Sequence, residues 1–238
     1  MVILAMDTSS PATSVAVLDG DVLLAHEIHV DARSHAEVLA VLVQRALLAA
    51  GEPKLSVVAV GVGPGAYTGL RVGVSSAQAY GLAWDIPVVG VCSLDAIALA
   101  ASGSVQGAFA CAIDARRQEM YWAQYDADGQ RLAGPYVNRP GEIAAQIRQL
   151  PWFGDIAASY IELLHATAAD TVAYPDARDI ARFALHHLQA GDSVTSARAE
   201  LSLHGHDDGT TASALEGQHL LLPYPLYVRR PDAAEPIK

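Results

Sequence analysis

The sequence predicts an α/β protein made of two similar mixed-sheet halves, and three observations carry that reading. Short apolar runs alternate with helical segments from Val2 to Ala101. The opening order of strand, polar turn, strand and hairpin restarts after Ser102-Gly103-Ser104, the best linker candidate. Each half begins with an apolar strand that ends in an aspartate, Asp7 in one and Asp114 in the other. Residues 1–104 and 105–238 are therefore expected as two subdomains, with the C-terminal tail a candidate to pack back on the first.

Residues 2–6 read as a buried strand, 13–18 as a second and 22–30 as a third. Asp7-Thr8-Ser9-Ser10-Pro11 and Asp19-Gly20-Asp21 supply the turns between them. Many mixed sheets open this way, the phosphate-binding half of actin-like folds among them. A helix follows, opened by Ser34-His35-Ala36-Glu37, which matches a capping box, and closed at Gly51. Its residues 38–43 and 46–49 are apolar well beyond the single stripe that a helix resting on its own sheet needs. Burial between two layers and contact with a second protein both fit that pattern.

Residues 57–62 are the next strand, and Gly63-Pro64-Gly65-Ala66-Tyr67-Thr68-Gly69-Leu70-Arg71-Val72-Gly73 leads into a helix over about 70–83. No lysine follows the last glycine, as a Walker loop requires. Gly73, Ser75, Ser76, Ala77, Ala79 and Gly81 make this helix small-sided. Glycine inside a helix costs about 1 kcal/mol against alanine, so a close packing partner is expected. A strand over 88–92 and a helix capped by Ser93 and running through Ala101 complete the half. Beyond the linker come strands at 108–113 and 119–125, joined by Asp114-Ala115-Arg116-Arg117 and followed by the turn Asp126-Ala127-Asp128-Gly129. Helices near 141–149 and 177–190 flank a strand at 151–153. Residues 204–218 read as a small, polar surface loop and 223–230 as the closing segment.

Of 238 residues, 52% are hydrophobic and 6% aromatic, a foldable composition. Asp and Glu number 26 against 15 Lys and Arg, a net charge of −11. Holding nucleic acid alone would demand a basic stripe, and Lys54, Lys238 and the scattered arginines supply none. Cys92 and Cys111 fall in expected strands and read as reduced thiols of a cytosolic protein. The apolar start at residues 2–6 lacks a basic leader and is too short to span a membrane. A cytoplasmic location without membrane contact is expected.

Several pieces carry a more specific signal. They are Ile3-Leu4-Ala5-Met6-Asp7-Thr8-Ser9, Ser34-His35-Ala36-Glu37, Gly61-Val62 with the Gly-rich run to Gly73, Ile86-Pro87-Val88-Val89-Gly90-Val91 and Ser93-Leu94. Ile113-Asp114-Ala115-Arg116-Arg117-Gln118-Glu119 and Pro225-Leu226-Tyr227-Val228-Arg229 complete the set. Together they resemble the bacterial TsaB (YeaZ) family of threonylcarbamoyladenosine synthesis; residues 167–218 match least.

The resemblance implies a duplicated actin-like (ASKHA, ribonuclease-H-like) fold with two mixed-sheet subdomains. It implies a non-catalytic scaffold that binds and activates the catalytic subunit TsaD and works with the ATPase TsaE. That complex places threonylcarbamoyl on N6 of adenosine 37 in tRNAs reading ANN codons, so tRNA is met only through the complex. The related catalytic subunit holds a metal with a His-x-x-x-His pair on its first helix. The matching positions here are His35 and Leu39, and leucine cannot ligate, so neither metal nor cofactor is expected. The resemblance also makes the first two helices a docking surface for the partner, or for a second copy when the chain is alone. The residues concerned are His35, Val38, Leu39, Leu42, Val43, Ala46, Val72, Gly73, Ser76, Ala79 and Tyr80. Asp7, Thr8, Ser9 and Asp114 become degenerate phosphate-loop positions, and no catalytic residue is expected.

The alternative is an actin-like ATP-dependent small-molecule kinase or ATPase, with Asp7 and Asp114 organising Mg²⁺ and phosphates. Against it, no glycine follows Asp7 in the turn and no second phosphate loop is evident. A metallopeptidase would need His204, His206, Asp207 and Asp208, which sit in a Gly/Thr-rich stretch without a rigid scaffold. His186 and His187 are adjacent on a helix and point in different directions. Arg116 and Arg117 suit a solvated hairpin or a phosphate or partner contact, and Tyr67 and Arg71 suit packing or an interface.

Overall fold

The computed structural model describes residues 1–156, 160–161, 163–164, 174–192 and 219–228. Burial along β1 (Val2–Asp7) sets the architecture. Leu4 and Met6 enter one core and Ile3 and Ala5 another, so the sheet is covered on both faces. β2 (Ala12–Asp19) runs antiparallel to β1, and β3 (Val22–Val30) antiparallel to β2. α1 (His35–Ala49) returns the chain so that β4 (Val57–Gly61) lies parallel to β1. After α2 (Tyr67–Trp84), β5 (Val88–Val91) lies parallel to β4. α1 and α2 cover the face that carries Leu4, Met6, Val15, Val17, Val58 and Val60.

α3 (Ser93–Ala101) is buried along most of its length and joins the first sheet to the second. There β6 (Phe109–Arg116), β7 (Glu119–Tyr125) and β8 (Arg131–Asn138) form an antiparallel meander. α4 (Ala145–Arg148) then leads to β9 (Trp152–Gly154), which runs parallel to β6. α5 (Ala177–Ala190) packs on the Ile3 and Ala5 face of the first sheet, and β10 (Leu220–Leu221) adds antiparallel to β5. The orders are β10-β5-β4-β1-β2-β3 and β8-β7-β6-β9. Each sheet has a three-strand meander followed by a strand parallel to the meander's first. That shared wiring is the physical form of the repeat seen in the sequence.

Local details differ from expectation where neighbours outweigh local chemistry. Ser34 precedes α1 but makes no side-chain cap; its hydroxyl donates to the Asp31 carbonyl at 3.1 Å, so no capping box forms. The other end of α1 closes as expected at Gly51 (φ +80), with Gly51 N–H on the Leu48 carbonyl and Glu52 N–H on that of Leu47. The expected helix over 141–149 is broken into a 3-10 turn, Pro140–Glu142, and the short α4, because Ile143 and Ala144 are extended. α2 begins at Tyr67, earlier than expected, and Cys92 lies just past β5. Residues 204–218, 229 and 230 lie outside the described residues.

Candidate functional site

The turn after β1 meets the ends of β4 and β5 and the starts of α2 and α3, and Asp7 is at the centre of that junction. It is completely buried. Its Oδ1 accepts the Ser9 N–H at 2.8 Å and the Ser9 hydroxyl at 2.7 Å. Its Oδ2 accepts the Ser93 hydroxyl at 2.7 Å, and Ser93 Oγ in turn accepts the Gly63 N–H at 3.1 Å. Ser93 therefore serves Asp7 rather than the helix it begins. Burial pushes the Asp7 carboxyl up to about 6, against the opposing pull of the Ser93 and Ser9 bonds. Gly61 makes the junction possible, since a Cβ there would overlap the Asp7 carboxylate.

Thr8 and Ser9 fill the space against α2. The Thr8 hydroxyl donates to the Gly69 carbonyl at 2.7 Å and accepts the Gly73 N–H at 3.1 Å. These two groups are four residues apart on the α2 ladder, so the hydroxyl sits across one of its hydrogen-bonding positions. A Cβ at Gly73 would collide with it. The Ser9 carbonyl accepts the Ala66 N–H at 3.2 Å. Helix N-terminal amides attract anions, and here the Ser9 carbonyl already takes the N–H of Ala66, the residue before α2. The small residues Gly69 and Gly73 serve this internal contact.

His35 is buried, and its Nδ1 is 2.7 Å from the Thr13 hydroxyl. Burial lowers its pKa, which favours the neutral ring. Leu39, one turn on, is buried in the core, and among the described residues no group of three metal-type ligands forms around His35. A cleft of about 330 Å³ opens beside it. Ser9, Ser10, Pro11, Arg33, His35, Tyr67 and Thr68 line one part of it, and Asp114 and Arg116 of β6 line another. Asp114 is more open than Asp7: its Oδ1 accepts the Arg116 N–H at 2.8 Å and its Oδ2 pairs with the Arg116 guanidinium at 3.1 Å. Burial, then the charge of Asp114, pushes the nearby Asp155 carboxyl up to about 6. Arg116, Arg117 and Gln118 have φ of +62°, +57° and +65°, a left-handed run without glycine.

The helix faces require a correction. Leu39, Leu42, Val43 and Ala46 turn inward and complete the first sheet's core, with His35 on the same stripe. Gly73 is also buried. These six residues cannot be the outer docking surface, because their spacing is the one that a helix uses to face its own sheet. Val38, Val72, Ser76 and Tyr80 are half-buried and Ala79 is exposed. Val41, Leu48 and Leu82, absent from the expected set, are 51%, 58% and 86% exposed. Sequence reading also missed the partner of the Gly-rich run. Arg71 Nε donates to the Tyr227 hydroxyl at 3.0 Å, its guanidinium is 4.0 Å from the centre of the Tyr67 ring, and Tyr67 stacks on Tyr227. His186 is exposed and His187 buried, so the adjacent pair does diverge. No described helix is long and apolar enough to cross a membrane.

The family model for TsaD, the tRNA N6-adenosine threonylcarbamoyltransferase, matches residues 23–195. A Mycobacterium tuberculosis protein is 47% identical over 148 residues, 59% of this chain and 66% of that protein. The Escherichia coli tRNA threonylcarbamoyladenosine biosynthesis protein TsaB is 36% identical over 133 residues, 54% of this chain and 56% of its own length. The chain thus spans less than two thirds of the length of these relatives. YeaZ from Pseudomonas aeruginosa aligns with a TM-score of 0.68 at 28% identity, over 80% of this chain and 93% of that one. A second Pseudomonas aeruginosa structure, described as similar to the peptidase YeaZ, gives 0.72 at 27% identity over 96% and 99%. With two sheets wired alike and a sealed aspartate after the first strand, this chain belongs to the TsaD family and, within it, to the TsaB/YeaZ group.

Proposed function

We propose that this chain is a non-catalytic subunit of the tRNA threonylcarbamoyladenosine machinery and that it docks a catalytic TsaD-type subunit through the outward faces of α1 and α2. One observation carries the reading. The Asp7 carboxylate is fully buried, both its oxygens already accept internal hydrogen bonds, and the turn beyond it lies against the start of α2. An actin-like kinase needs that carboxylate open to Mg²⁺ and phosphate. The outward faces carry small and apolar side chains: exposed Val41 and Leu48 with half-buried Val38 on α1, and exposed Ala79 with half-buried Val72, Ser76 and Tyr80 on α2. Exposed apolar residues on these two faces suit a surface that another protein covers.

In the assembly we envisage, a TsaE-type ATPase completes the complex. Threonylcarbamoyl then reaches N6 of adenosine 37 in tRNAs reading ANN codons. A net charge of −11 leaves the grip on tRNA to the partners. When the catalytic subunit is absent, the same helix pair holds a second copy in a homodimer.

The test is co-purification with a TsaD-type relative and reconstitution of tRNA modification with a TsaE-type protein. Val41→Glu and Ala79→Glu should abolish both while circular dichroism stays native, since both side chains are exposed. An undiminished complex from the doubly substituted chain would sink the docking surface. Micromolar Mg-ATP binding by the isolated chain, abolished by Asp114→Asn, would replace the proposal with the kinase or ATPase reading.

A further inference from the structure

At the end of α5, on the opposite face of the first sheet from α1 and α2, three metal-type side chains converge. His187 is buried in the last turn of α5, Asp192 lies just beyond the helix, and His219 immediately precedes β10. One ligand atom from each lies within 4.8 Å of the others. The way the helix ends fixes two of them. Gly191 (φ +83) turns the chain back, and the Asp192 N–H meets the His187 carbonyl at 3.0 Å. The Asp192 carboxylate is then 2.6 Å from His187 Nδ1. His219 stacks on His187, with centroids 4.1 Å apart and planes at 12°. Phe183 packs 4.4 Å from His187, and the His186 ring stands edge-on at 5.0 Å.

We propose that His187, Asp192 and His219 form a binding site for a divalent transition-metal ion of the zinc class, clasping the end of α5 to the start of β10. Two imidazoles and one carboxylate suit such ions, whereas Mg²⁺ and Ca²⁺ prefer all-oxygen shells. Three protein donors leave a fourth tetrahedral position for water, and Asp192, 37% exposed, opens that side to solvent. Imidazole lone pairs lie in the ring plane, so one ion cannot serve two parallel stacked rings. Binding therefore swings the half-exposed His219 out of the stack, releases the proton shared by His187 Nδ1 and Asp192 to solvent, and opens that contact so that both lone pairs meet the ion. Because Asp192 and His219 bracket residues 193–218, the ion ties together both ends of that connection and stabilises the fold by binding it.

This site shares no residue with the docking helices, so either proposal can fail alone. The experiment uses untagged, chelator-treated full chain titrated with Zn²⁺ by calorimetry and with Co²⁺ by visible absorption. The wild type should bind one ion per chain with the Co²⁺ spectrum of a four-coordinate site. Asp192→Asn and His219→Gln should each weaken binding at least about tenfold while melting like the wild type in chelator. Absence of saturable binding by the wild type, or binding of equal strength by both variants, would overturn the site.

Discussion

Asp7 sets an energetic cost that can be read by titration. Its carboxyl has an ordinary value of 3.8 and rises to about 6 in the fold, chiefly through burial. The folded chain therefore keeps a proton that the unfolded chain gives up. Its contribution to stability is complete below 3.8 and is lost as pH rises through about 6. A shift of that size corresponds to about 3 kcal/mol. Asp7→Asn, which has no proton to lose, should gain on the wild type by up to that amount between about pH 4 and pH 7. Urea midpoints across the range decide it, and parallel curves would mean that Asp7 is not buried as an acid. The aspartate itself was legible as the end of an apolar strand. Its closure was not, because Ser93, which binds Oδ2, is 86 positions away in the chain. The left-handed hairpin makes a second prediction of this kind. Gln118 has φ +65 without being glycine, so Gln118→Gly should raise the thermal midpoint, by about 0.5–1 kcal/mol of relieved strain.

α1 explains why an apolar helix misled a reading made without neighbours. His35, Leu39, Leu42, Val43 and Ala46 repeat at helical spacing and face the sheet. Val41 and Leu48 are as apolar as any of them yet stand outside. A helix rich in apolar residues on every side does not announce which stripe is the core, since hydropathy alone is the same on both. Substitution separates the two faces. Leu42→Ala should cost about 2–5 kcal/mol, because Leu42 is 5% exposed and lines the core. Val41→Ala should stay within about 0.5 kcal/mol of wild type. Urea denaturation of both gives the answer, and equal losses would place α1 between two layers of its own protomer. Strand and helix order from β1 to β7 was legible because each element carries its own period and turn chemistry. β8 escaped notice for a local reason. Gly134-Pro135 interrupts its pattern, and proline is tolerated because β8 is an edge strand.

The two sheets are joined by a charged contact that no short motif reveals. Asp95 of α3 accepts the Tyr125 hydroxyl of β7 at 2.8 Å, and its two oxygens meet Arg131 of β8, Nε and Nη2 each at 3.1 Å. The side chains of Arg131 and Asp95 are only 9% and 3% exposed. In sequence Asp95 is an acid in a first helical turn and Arg131 a strand-end cation, both ordinary surface roles. Only the approach of the second sheet to α3 buries them together. β6, with Asp114 and Arg116, lines one cleft with the turn that carries Ser9 and the helix that carries His35, so whatever holds the second sheet on α3 also sets the shape of that cleft. Removing one partner leaves the other charge buried. Asp95→Ala should therefore cost about 3–5 kcal/mol. Replacing both charges by apolar groups of similar size removes the stranded charge as well. The double variant Asp95→Leu, Arg131→Met should be more stable than Asp95→Ala and should lose much less than the two single losses together. Chemical denaturation of the set measures the coupling. If the losses add, the two sheets are held by apolar packing on α3 alone, and the cleft owes its shape to Leu94, Ile97, Phe109 and Tyr125.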